Sequence, residues 1–182
     1  MIQNKADLKE YLAKDMPFYQ AYNTKDRKLL FLTKDPAYEI KRYIRLLRYE
    51  EYYFNCRQDI LGKVCYLLYF RSKNVLGNKL GFKIPRNTFE EGLSIYHHGF
   101  IIVNESARIG KNAQLHGDNC IGNKGKTDNN PVVGDNLILG VGAKIIGGVK
   151  LGNQITVGAN AVVTNSFEDS NITLVGVPAK PL

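Results

Sequence analysis

The sequence predicts a mainly β fold, in which a solenoid of short strands over residues 81–182 follows an α-helical region over residues 1–80. Three observations support this prediction: a six-residue repeat, an uneven distribution of glycine and an uneven distribution of charge. Residues 1–84 contain 3 of the 17 glycines but 17 of the 25 basic residues, whereas residues 85–182 carry equal numbers of acidic and basic residues. Two physically different segments are therefore joined near residues 81–85.

The first segment has the apolar spacing of α-helices. A helix is predicted from Pro36 to about Gln58, because proline suits the first helical turn and apolar residues then recur at helical spacing. A second helix is predicted from an N-cap at Asp59 to Ser72, and a shorter one over residues 6–14.

Basic and tyrosine side chains alternate along these predicted helices. Such a set can bind nucleic acid or an anionic membrane, or it can form a solvated helix face whose tyrosines pack on a neighbour. The solvated face is favoured, because no nucleic-acid motif accompanies the charge; a peripheral membrane contact stays open as an alternative. The basic residues are Lys41, Arg42, Arg45, Arg48, Arg57, Lys63, Arg71 and Lys73.

The second segment repeats every six residues. Ten of eleven positions at this spacing are branched aliphatic residues, and the exception is Thr127 in a polar stretch. The period fits neither a helix nor an alternating strand, and it indicates a solenoid in which three hexapeptides close a triangular coil of about 18 residues. One aliphatic side chain per strand points inward, and glycine or asparagine takes the turn, where a positive φ or tight packing excludes larger residues. The aliphatic positions are Val103, Ile109, Leu115, Ile121, Val133, Leu139, Ile145, Leu151, Val157 and Val163.

Composition excludes several classes of protein. The longest apolar run, residues 64–70, is too short to span a membrane, and the first residues lack the apolar core of a signal peptide, so a cytoplasmic location is expected. The three cysteines form no CxxC pair, which fits a reducing compartment rather than a disulfide framework or a zinc site. They are Cys56, Cys65 and Cys120.

Short segments of the second half carry the motifs of a known family. These segments are residues 81–85 (GFKIP), 95–99 (IYHHG), 107–110, 115–117 with 121–122, 140–145 and 176–180. They resemble the hexapeptide-repeat acyltransferases, which have a left-handed parallel β-helix, and within them the serine acetyltransferase-like branch that includes enzymes of capsule and exopolysaccharide synthesis. The resemblance implies transfer of acetyl from acetyl-CoA to a hydroxyl, in a groove between subunits of a homotrimer or of paired trimers, with no metal and no nucleic acid.

The resemblance also assigns roles to the histidines. Acetyl transfer needs a base for the hydroxyl proton and an acid for the departing thiolate, and histidine can serve as both near neutral pH. His97 matches the family's catalytic histidine and is expected to be the general base, whereas His116 is placed beside the acceptor or the thioester. His98 lies 18 residues before His116, so the repeat predicts that the two share one edge of adjacent coils. Tyr96, His98 and Asn130 are the expected acceptor-binding residues.

Small residues on one edge of the coils are expected to bind CoA, because the thin pantetheine arm lies flat only where side chains do not intrude. The residues that match the family's CoA-lining segments are Gly122, Asn123, Val141, Gly142, Ala143 and Ala159, with Lys144 and Lys180 as candidate partners of the CoA phosphates. A turn role for the glycines and a solvated role for the lysines stay open. The polar stretch 123–130 is expected to form a loop over the groove.

Features specific to the family's serine enzymes are missing. Those enzymes carry an aspartate before the catalytic histidine, where this chain has Tyr96, and an Arg-His pair where it has Asn129 and Asn130. This loss of charged groups favours a neutral acceptor, a sugar in surface polysaccharide synthesis, with serine O-acetylation in cysteine synthesis as the alternative. The family's orienting aspartate maps to residues 82–83, which hold no carboxylate, so a backbone carbonyl or another acid is expected to orient His97. The candidate acids are Glu90, Glu91 and Glu105.

Two further classes of protein remain open because they share the repeat. A non-catalytic β-helix that serves as a scaffold or binding module would not need the histidines. A metal-dependent hydrolase similar to the γ-class carbonic anhydrases would need histidines placed to share zinc across subunits, and the three histidines here lack that spacing.

Overall fold

The computed structural model describes residues 1–20, 22–125 and 129–182, apart from the side chain of Gln20. Within these residues the N-terminal region contains five α-helices, and the two longest pack against each other. The helices are α1 (Lys5–Lys14), α2 (Pro17–Gln20), α3 (Thr24–Leu32), α4 (Pro36–Cys56) and α5 (Ile60–Leu80). The helices predicted over 6–14 and from Pro36 are confirmed; α2 and α3 were not predicted.

Capping residues set the ends of the long helices. The Asp35 side chain accepts a hydrogen bond from the amide of Ala37 at 2.8 Å and starts α4. Asp59 is the N-cap of α5, as predicted. This helix continues past the predicted end at Ser72, because its buried face extends to Leu80 and a left-handed Gly81 (φ +81°) then ends it.

The second half consists of short parallel strands and a terminal hairpin. The strands are β1 (Phe82–Lys83), β2 (Ser94–Ile95), β3 (Ile101–Val103), β4 (Arg108–Ile109), β5 (Gln114–Leu115), β6 (Cys120–Gly122), β7 (Val132–Val133), β8 (Ile138–Leu139), β9 (Lys144–Ile146), β10 (Lys150–Leu151), β11 (Thr156–Val157), β12 (Val162–Val163), β13 (Thr173–Gly176) and β14 (Ala179–Pro181).

These strands stack into three sheets, one on each side of a triangular coil. Sheet A has the order β1-β3-β6-β9-β12, sheet B β4-β7-β10 and sheet C β2-β5-β8-β11-β13-β14, and all pairs are parallel except β13–β14. Ile138 pairs with Thr156, 18 residues later, as the repeat predicts. Cys120 pairs with Lys144, 24 residues later, because the polar stretch adds one hexapeptide to that coil. The loop predicted there includes residues 126–128, which lie outside the described residues.

Two kinds of special residue form the corners of the coils. The glycines that directly follow an inward aliphatic residue allow close approach: a Cβ at Gly140 would lie 2.8 Å from the backbone nitrogen of Ala159. The positive φ falls two residues further on, as at Gly142 (φ +74°) and Asn136 (φ +60°). The sequence predicted either a positive φ or tight packing at the turn glycines. In the structure, tight packing falls on the residue after the inward aliphatic residue, and the positive φ falls two residues later.

The N-terminal region covers the open edge of sheet C. The edge strand β2 follows Leu93, whose amide donates to Asp15 Oδ1 and whose carbonyl accepts from the amide of Met16, both at 3.0 Å. Asp15 is held by the fully buried Arg48, whose Nε donates to Asp15 Oδ2 at 2.8 Å. Since an open edge strand is ready to pair with other chains, the helical region protects the solenoid from such pairing.

Buried charges correct the prediction of a solvated basic face. Arg48 is fully buried, and Lys41 and Lys73 are also buried. Lys73 Nζ lies 2.7 Å from Glu50 Oε2, which is also buried. The members of the basic set that are exposed are Arg42, Arg45, Lys63 and Arg71.

Candidate active site

The three histidines lie where the chain passes from sheet C to sheet A. We call this edge the C–A corner; it consists of residues 96–100, 116–119, 140–143 and 158–161 in successive coils. His97 and His98 are exposed in the first segment, and His116 is half-buried in the second. The structure therefore brings the predicted histidines to one corner.

The first segment of this corner departs from the six-residue repeat. Eight positions separate the inward residues Ile95 and Val103, whereas six separate their counterparts Leu115 and Ile121 in the next coil. Ile95 pairs with Leu115 in sheet C, so the two extra residues lie in segment 96–100.

This insertion changes which side chains are neighbours. Tyr96, not His98, occupies the position next to His116 in the adjacent coil. His98 and His116 do share this edge in adjacent coils, as predicted, but the ring that stacks on His116 is that of Tyr96. His97 lies in the inserted segment, outside the repeat, and its side chain is free of the packing demands on inward residues.

Three aromatic rings stack at the C–A corner. The imidazole of His116 lies on the ring of Tyr96, with centroids 4.6 Å apart and 11° between the planes. Phe18 stacks on Tyr96 with ring centroids 4.8 Å apart. Phe18 approaches from the free edge of β2, which Met16 covers, whereas β5 lies on the other side of β2. The Tyr96 hydroxyl lies 3.4 Å from Gln114 Oε1. Because both ring faces of Tyr96 are covered, only its edge and hydroxyl are available to the predicted acceptor.

His97 lies close to His116 and affects its charge. A Cβ on Gly117, the residue after His116, would lie 3.5 Å from Cβ of His97. Burial lowers the pKa of His116, and the charge of His97 lowers it further. Both effects favour the neutral form of His116, which can accept one hydrogen bond and donate another beside His97.

Asp118 fastens the segment that carries the two exposed histidines. Its Oδ1 accepts a hydrogen bond from the amide of Phe100 at 3.0 Å. The sequence analysis identified neither Asp118 nor Phe18 as a site residue. No motif marks them, because each acts through a contact with a residue far away in the sequence.

The glutamates predicted to orient His97 have other partners or positions. Glu90 Oε2 accepts from the N-terminal amine at 2.8 Å, and Glu91 Oε1 lies 3.0 Å from Lys111 Nζ. Glu105 follows β3, at the other end of the sheet A strand. Among the described residues the imidazole of His97 has no hydrogen-bond or ion-pair partner. Within the single chain, none of these three glutamates orients His97.

A track without side chains runs along the C–A corner from His116. The amide of His116 donates to the carbonyl of Leu139 at 3.0 Å, and that of Gly140 donates to the carbonyl of Val157 at 2.8 Å. His116, Gly140 and Gly158 thus occupy equivalent positions in three successive coils. The repeat predicts only a turn role for these two glycines, although their place after inward residues 18 positions apart marks the track.

Most of the predicted donor residues near this corner lie beside the track. Val141 and Ala159 are exposed in successive coils next to Gly140 and Gly158, and Lys144 Nζ donates to the carbonyl of Gly142 at 2.8 Å. Ala143 is fully buried in the core. Its side chain therefore packs in the core, and only its backbone is placed to line the corner.

Other predicted site residues lie away from the histidines. Gly122 and Asn123 are at the end of β6, where the chain leaves sheet A for sheet B, an edge that we call the A–B corner. Asn123 Nδ2 lies 3.4 Å from Asn130 Oδ1. Lys180 is exposed on β14, at the edge of sheet C. One chain does not bring Gly122, Asn123 and Asn130 to the C–A corner, whereas Lys180 pairs with Val175, which lies against Gly158 at the last coil of that corner.

The described ranges contain no group of three or more His, Cys, Asp or Glu side chains arranged to hold a metal ion. In the same ranges, none of the helices has both the length and the apolar character needed to cross a membrane. All three cysteines are free thiols.

The fold and the site define a class of protein: a three-sided parallel β-helix with histidines and a glycine track at one corner. No protein-family model matches the chain. Over 100 residues it is 34% identical to the serine acetyltransferase of Staphylococcus xylosus and 33% identical to that of Staphylococcus aureus strain N315. Each match covers 54% of this chain and 44% of the relative, so the chain matches less than half of these curated relatives.

Solved structures of the same description share the fold over nearly the whole chain. Serine acetyltransferase from Neisseria gonorrhoeae superposes with a TM-score of 0.66 at 24% identity, covering 97% of this chain and 64% of that one. The soybean serine acetyltransferase apoenzyme superposes with a TM-score of 0.70 at 20% identity, covering 98% of this chain and 70% of that one. A serine acetyltransferase in complex with CoA superposes with a TM-score of 0.70 at 22% identity, covering 98% of this chain and 71% of that one.

These comparisons support the resemblance to hexapeptide-repeat acyltransferases and, within it, the serine acetyltransferase-like branch. They give no support to the polysaccharide enzymes that the sequence analysis placed in the same branch. The shared fold includes the N-terminal helices as well as the parallel sheets.

Proposed function

We propose that this chain is an acetyl-CoA-dependent O-acetyltransferase. The observation that carries the proposal is the exposed His97 next to His116, at the head of the track formed by Gly140 and Gly158. A proton acceptor and a smooth surface for an extended thioester arm thus meet at one corner. The likeness to serine acetyltransferases, one of them in complex with CoA, supports the same reaction.

In the proposed reaction the acceptor hydroxyl oxygen attacks the thioester carbonyl carbon of acetyl-CoA. His97 takes the hydroxyl proton as the new C–O bond forms, and it gives this proton to the sulfur as the C–S bond breaks. The products are an acetyl ester and the free thiol of CoA. His116 lies beside the reacting groups and hydrogen-bonds the acceptor or the thioester in its neutral form.

L-Serine is the acceptor that the comparisons favour, and we take it as the first candidate. A sugar hydroxyl is the second candidate, because Tyr96 stands where the family's serine enzymes have an aspartate, and Asn129 and Asn130 stand where they have an Arg-His pair. Within the described residues no carboxylate bonds to His97. An uncharged acceptor would not need the missing groups.

We also propose that the chain assembles as a homotrimer, alone or paired with a second trimer. The left-handed winding of the β-helix and the cytoplasmic location are proposed as the sequence leads us to expect. The C–A corner and the A–B corner lie at opposite ends of the sheet A strands. Residues Gly122, Asn123 and Asn130 can therefore reach His97 only if a neighbouring copy supplies one of the two corners. This placement supports a site between subunits.

The test is release of free thiol from acetyl-CoA by the purified chain, with L-serine and with neutral sugars offered separately. His97→Ala should abolish turnover while light scattering shows the same assembly as wild type. Lys150→Ala, an exposed change on sheet B, is the matched control and should leave turnover unchanged. Turnover that survives in His97→Ala would overturn the assignment of the base. A wild-type chain that releases no thiol with any acceptor would favour a scaffold or binding module, and faster turnover with sugars would replace serine as the acceptor.

A further inference from the structure

A cavity of about 560 Å³ opens in the helical region, and none of its lining residues belongs to the C–A corner. One face of α4 forms its floor, because residues 38, 41, 42, 45 and 49 follow helical spacing. Helices α1, α2, α3 and α5 each contribute at least one side chain to its walls. The reaction proposed above makes no use of this space.

Cationic side chains dominate the cavity, and the described residues of its lining include no carboxylate. The acid that acts most on Lys41 is Asp15, but the Asp15 carboxylate faces Arg48 and the amides before β2. Neither Arg42 nor Arg45 makes a hydrogen bond or ion pair with any described residue. The four cations of the lining are Arg27, Lys41, Arg42 and Arg45.

Arg45 acts on groups around the cavity. Burial raises the pKa of Tyr19 and of Tyr69, and in both cases the charge of Arg45 opposes that rise. The same charge disfavours the protonated form of Lys41. Arg45 is therefore within electrostatic reach of two walls and the floor of the cavity, and no carboxylate in the described part of the chain pairs with it.

Lys41 shows the cost of this excess charge. Its Nζ donates to the carbonyl of Asp15 at 2.5 Å, and its side chain is buried. Burial lowers the pKa of Lys41 to about 8; Asp15 opposes this change, whereas Arg45 and Arg27 add to it. An anion in the cavity would reverse these effects and keep the ammonium charged.

Tyrosine rings form much of the remaining lining. Tyr49 and Tyr69 stack with ring centroids 5.0 Å apart. Tyr19 of α2 and Tyr38 of α4 also line the cavity. Such rings offer apolar area together with hydroxyl groups that hydrogen-bond. A ligand that fits both features carries an anionic group and a ring or another apolar body.

We propose that this cavity binds a small organic anion that bears a phosphate and a ring. The phosphate lies between Arg42, Arg45 and Lys41, where charge-assisted hydrogen bonds replace the missing carboxylate. The ring lies against Tyr49 and Tyr69. This site is separate from the acetyl-transfer corner and does not depend on the proposed reaction.

The test measures binding of phenyl phosphate to the full chain by calorimetry and by the change in tyrosine fluorescence. Wild type should bind it saturably, and benzyl alcohol, which has the ring without the charge, should not bind. The double variant Arg42→Gln/Arg45→Gln should bind at least about tenfold more weakly, because two charged hydrogen-bond donors are lost. Circular dichroism and the unfolding midpoint show whether this variant stays folded.

Lys63→Gln/Arg71→Gln is the matched control, since it removes two exposed charges from α5 outside the cavity. It should bind phenyl phosphate within about twofold of wild type, because distant surface charges are screened by salt. Non-saturable binding to wild type, or an equal loss of affinity in the control, would overturn the site.

Acetyl-CoA turnover distinguishes this proposal from the proposed function. The KM for acetyl-CoA should be unchanged in Arg42→Gln/Arg45→Gln. A rise in that KM together with loss of phenyl phosphate binding would place the cavity in the donor site and overturn a separate site. A chain that binds phenyl phosphate but shows no acetyl transfer would leave the anion site standing and remove the proposed function alone.

Discussion

The imidazole of His116 lies face to face with the phenol ring of Tyr96, at 4.6 Å between centroids. The two residues are 20 positions apart, although the repeat places equivalent residues 18 apart. The insertion in segment 96–100 that shifts this register also lifts His97 and His98 out of the packed coil. The stack and the exposed base therefore have one structural origin.

Tyr96 is expected to hold His116 through its ring rather than through its hydroxyl. Tyr96→Phe keeps both stacked contacts and loses the contact of 3.4 Å with Gln114, so stability should stay close to wild type, and a fall in turnover would report a hydroxyl contact with the acceptor. Tyr96→Ala removes two aromatic pairs and should cost about 1–3 kcal/mol in the free energy of unfolding, with a fall in kcat. Denaturant unfolding and thiol-release kinetics measure the two effects. Equal losses in both variants would instead show that the hydroxyl is what matters.

His116 should titrate below the ordinary histidine pKa of 6.5. Burial disfavours its imidazolium first, and the charge of His97 adds to that effect. Its folded-state pKa is thus lower than its unfolded value, so its contribution to stability is full above pH 6.5 and is lost as the pH falls through the folded pKa. NMR titration of the three imidazole C–H signals, with His116→Asn for assignment, measures the shift.

His97→Asn provides the internal check on the cause of this shift. The pKa of His116 should rise part of the way back in that variant, because the neighbouring charge is gone while burial remains. A His116 signal that titrates at or above 6.5 in wild type would contradict the burial seen in the structure.

Arg48 should be essential to the stability of the whole chain. It is fully buried and its guanidinium bonds Asp15, Glu51 and the carbonyl of Phe89. Arg48→Ala leaves two carboxylates buried without their partner, which should cost about 3–5 kcal/mol in the free energy of unfolding. Chemical denaturation measures this loss.

The control for Arg48 is an arginine with a similar ion pair at the surface. Arg57 Nε lies 2.8 Å from Asp59 Oδ1, but the two side chains are 40% and 49% exposed to water. Arg57→Ala should leave the free energy of unfolding nearly unchanged. If the two variants lost equal stability, burial would not be the cause of the Arg48 effect.

The sequence predicts the solenoid because each inward position carries its own signal. Ile109, Leu115 and Val133 are buried in the core, as the six-residue repeat predicts. The insertion at 96–100 is not predictable from that repeat, because a bulge between strands leaves no periodic mark. Asp15 is not predictable either, since its role depends on a buried partner 33 positions away.

Site roles predicted from sequence were less reliable than core positions predicted from the six-residue repeat. Ala143 lies in a segment that matches the family, but its place in the coil points its side chain into the core. Glu90 is an acid near His97 in sequence, but it pairs with the N-terminal amine instead. A motif records neighbours along the chain, whereas the site is formed by neighbours in adjacent coils.

Gly140 should be required both for the coil and for the donor track. A Cβ at this position would lie 2.8 Å from the backbone nitrogen of Ala159, so Gly140→Ala forces two coils apart. We expect a loss of about 1–3 kcal/mol in the free energy of unfolding and a raised KM for acetyl-CoA. Thermal unfolding and initial rates at varied acetyl-CoA measure the two effects.

Gly122→Ala separates the steric demand from the binding role. Among the described residues a Cβ there would meet only Cys120 Sγ and Ile146 Cδ1, both at 3.7 Å, and the backbone needs no positive φ. Its unfolding free energy should therefore stay within about 0.5 kcal/mol of wild type. If a neighbouring copy brings this residue to the donor, the KM for acetyl-CoA should rise without any loss of stability. An unchanged KM in Gly122→Ala, beside a raised one in Gly140→Ala, would place the pantetheine arm on the C–A corner of a single chain.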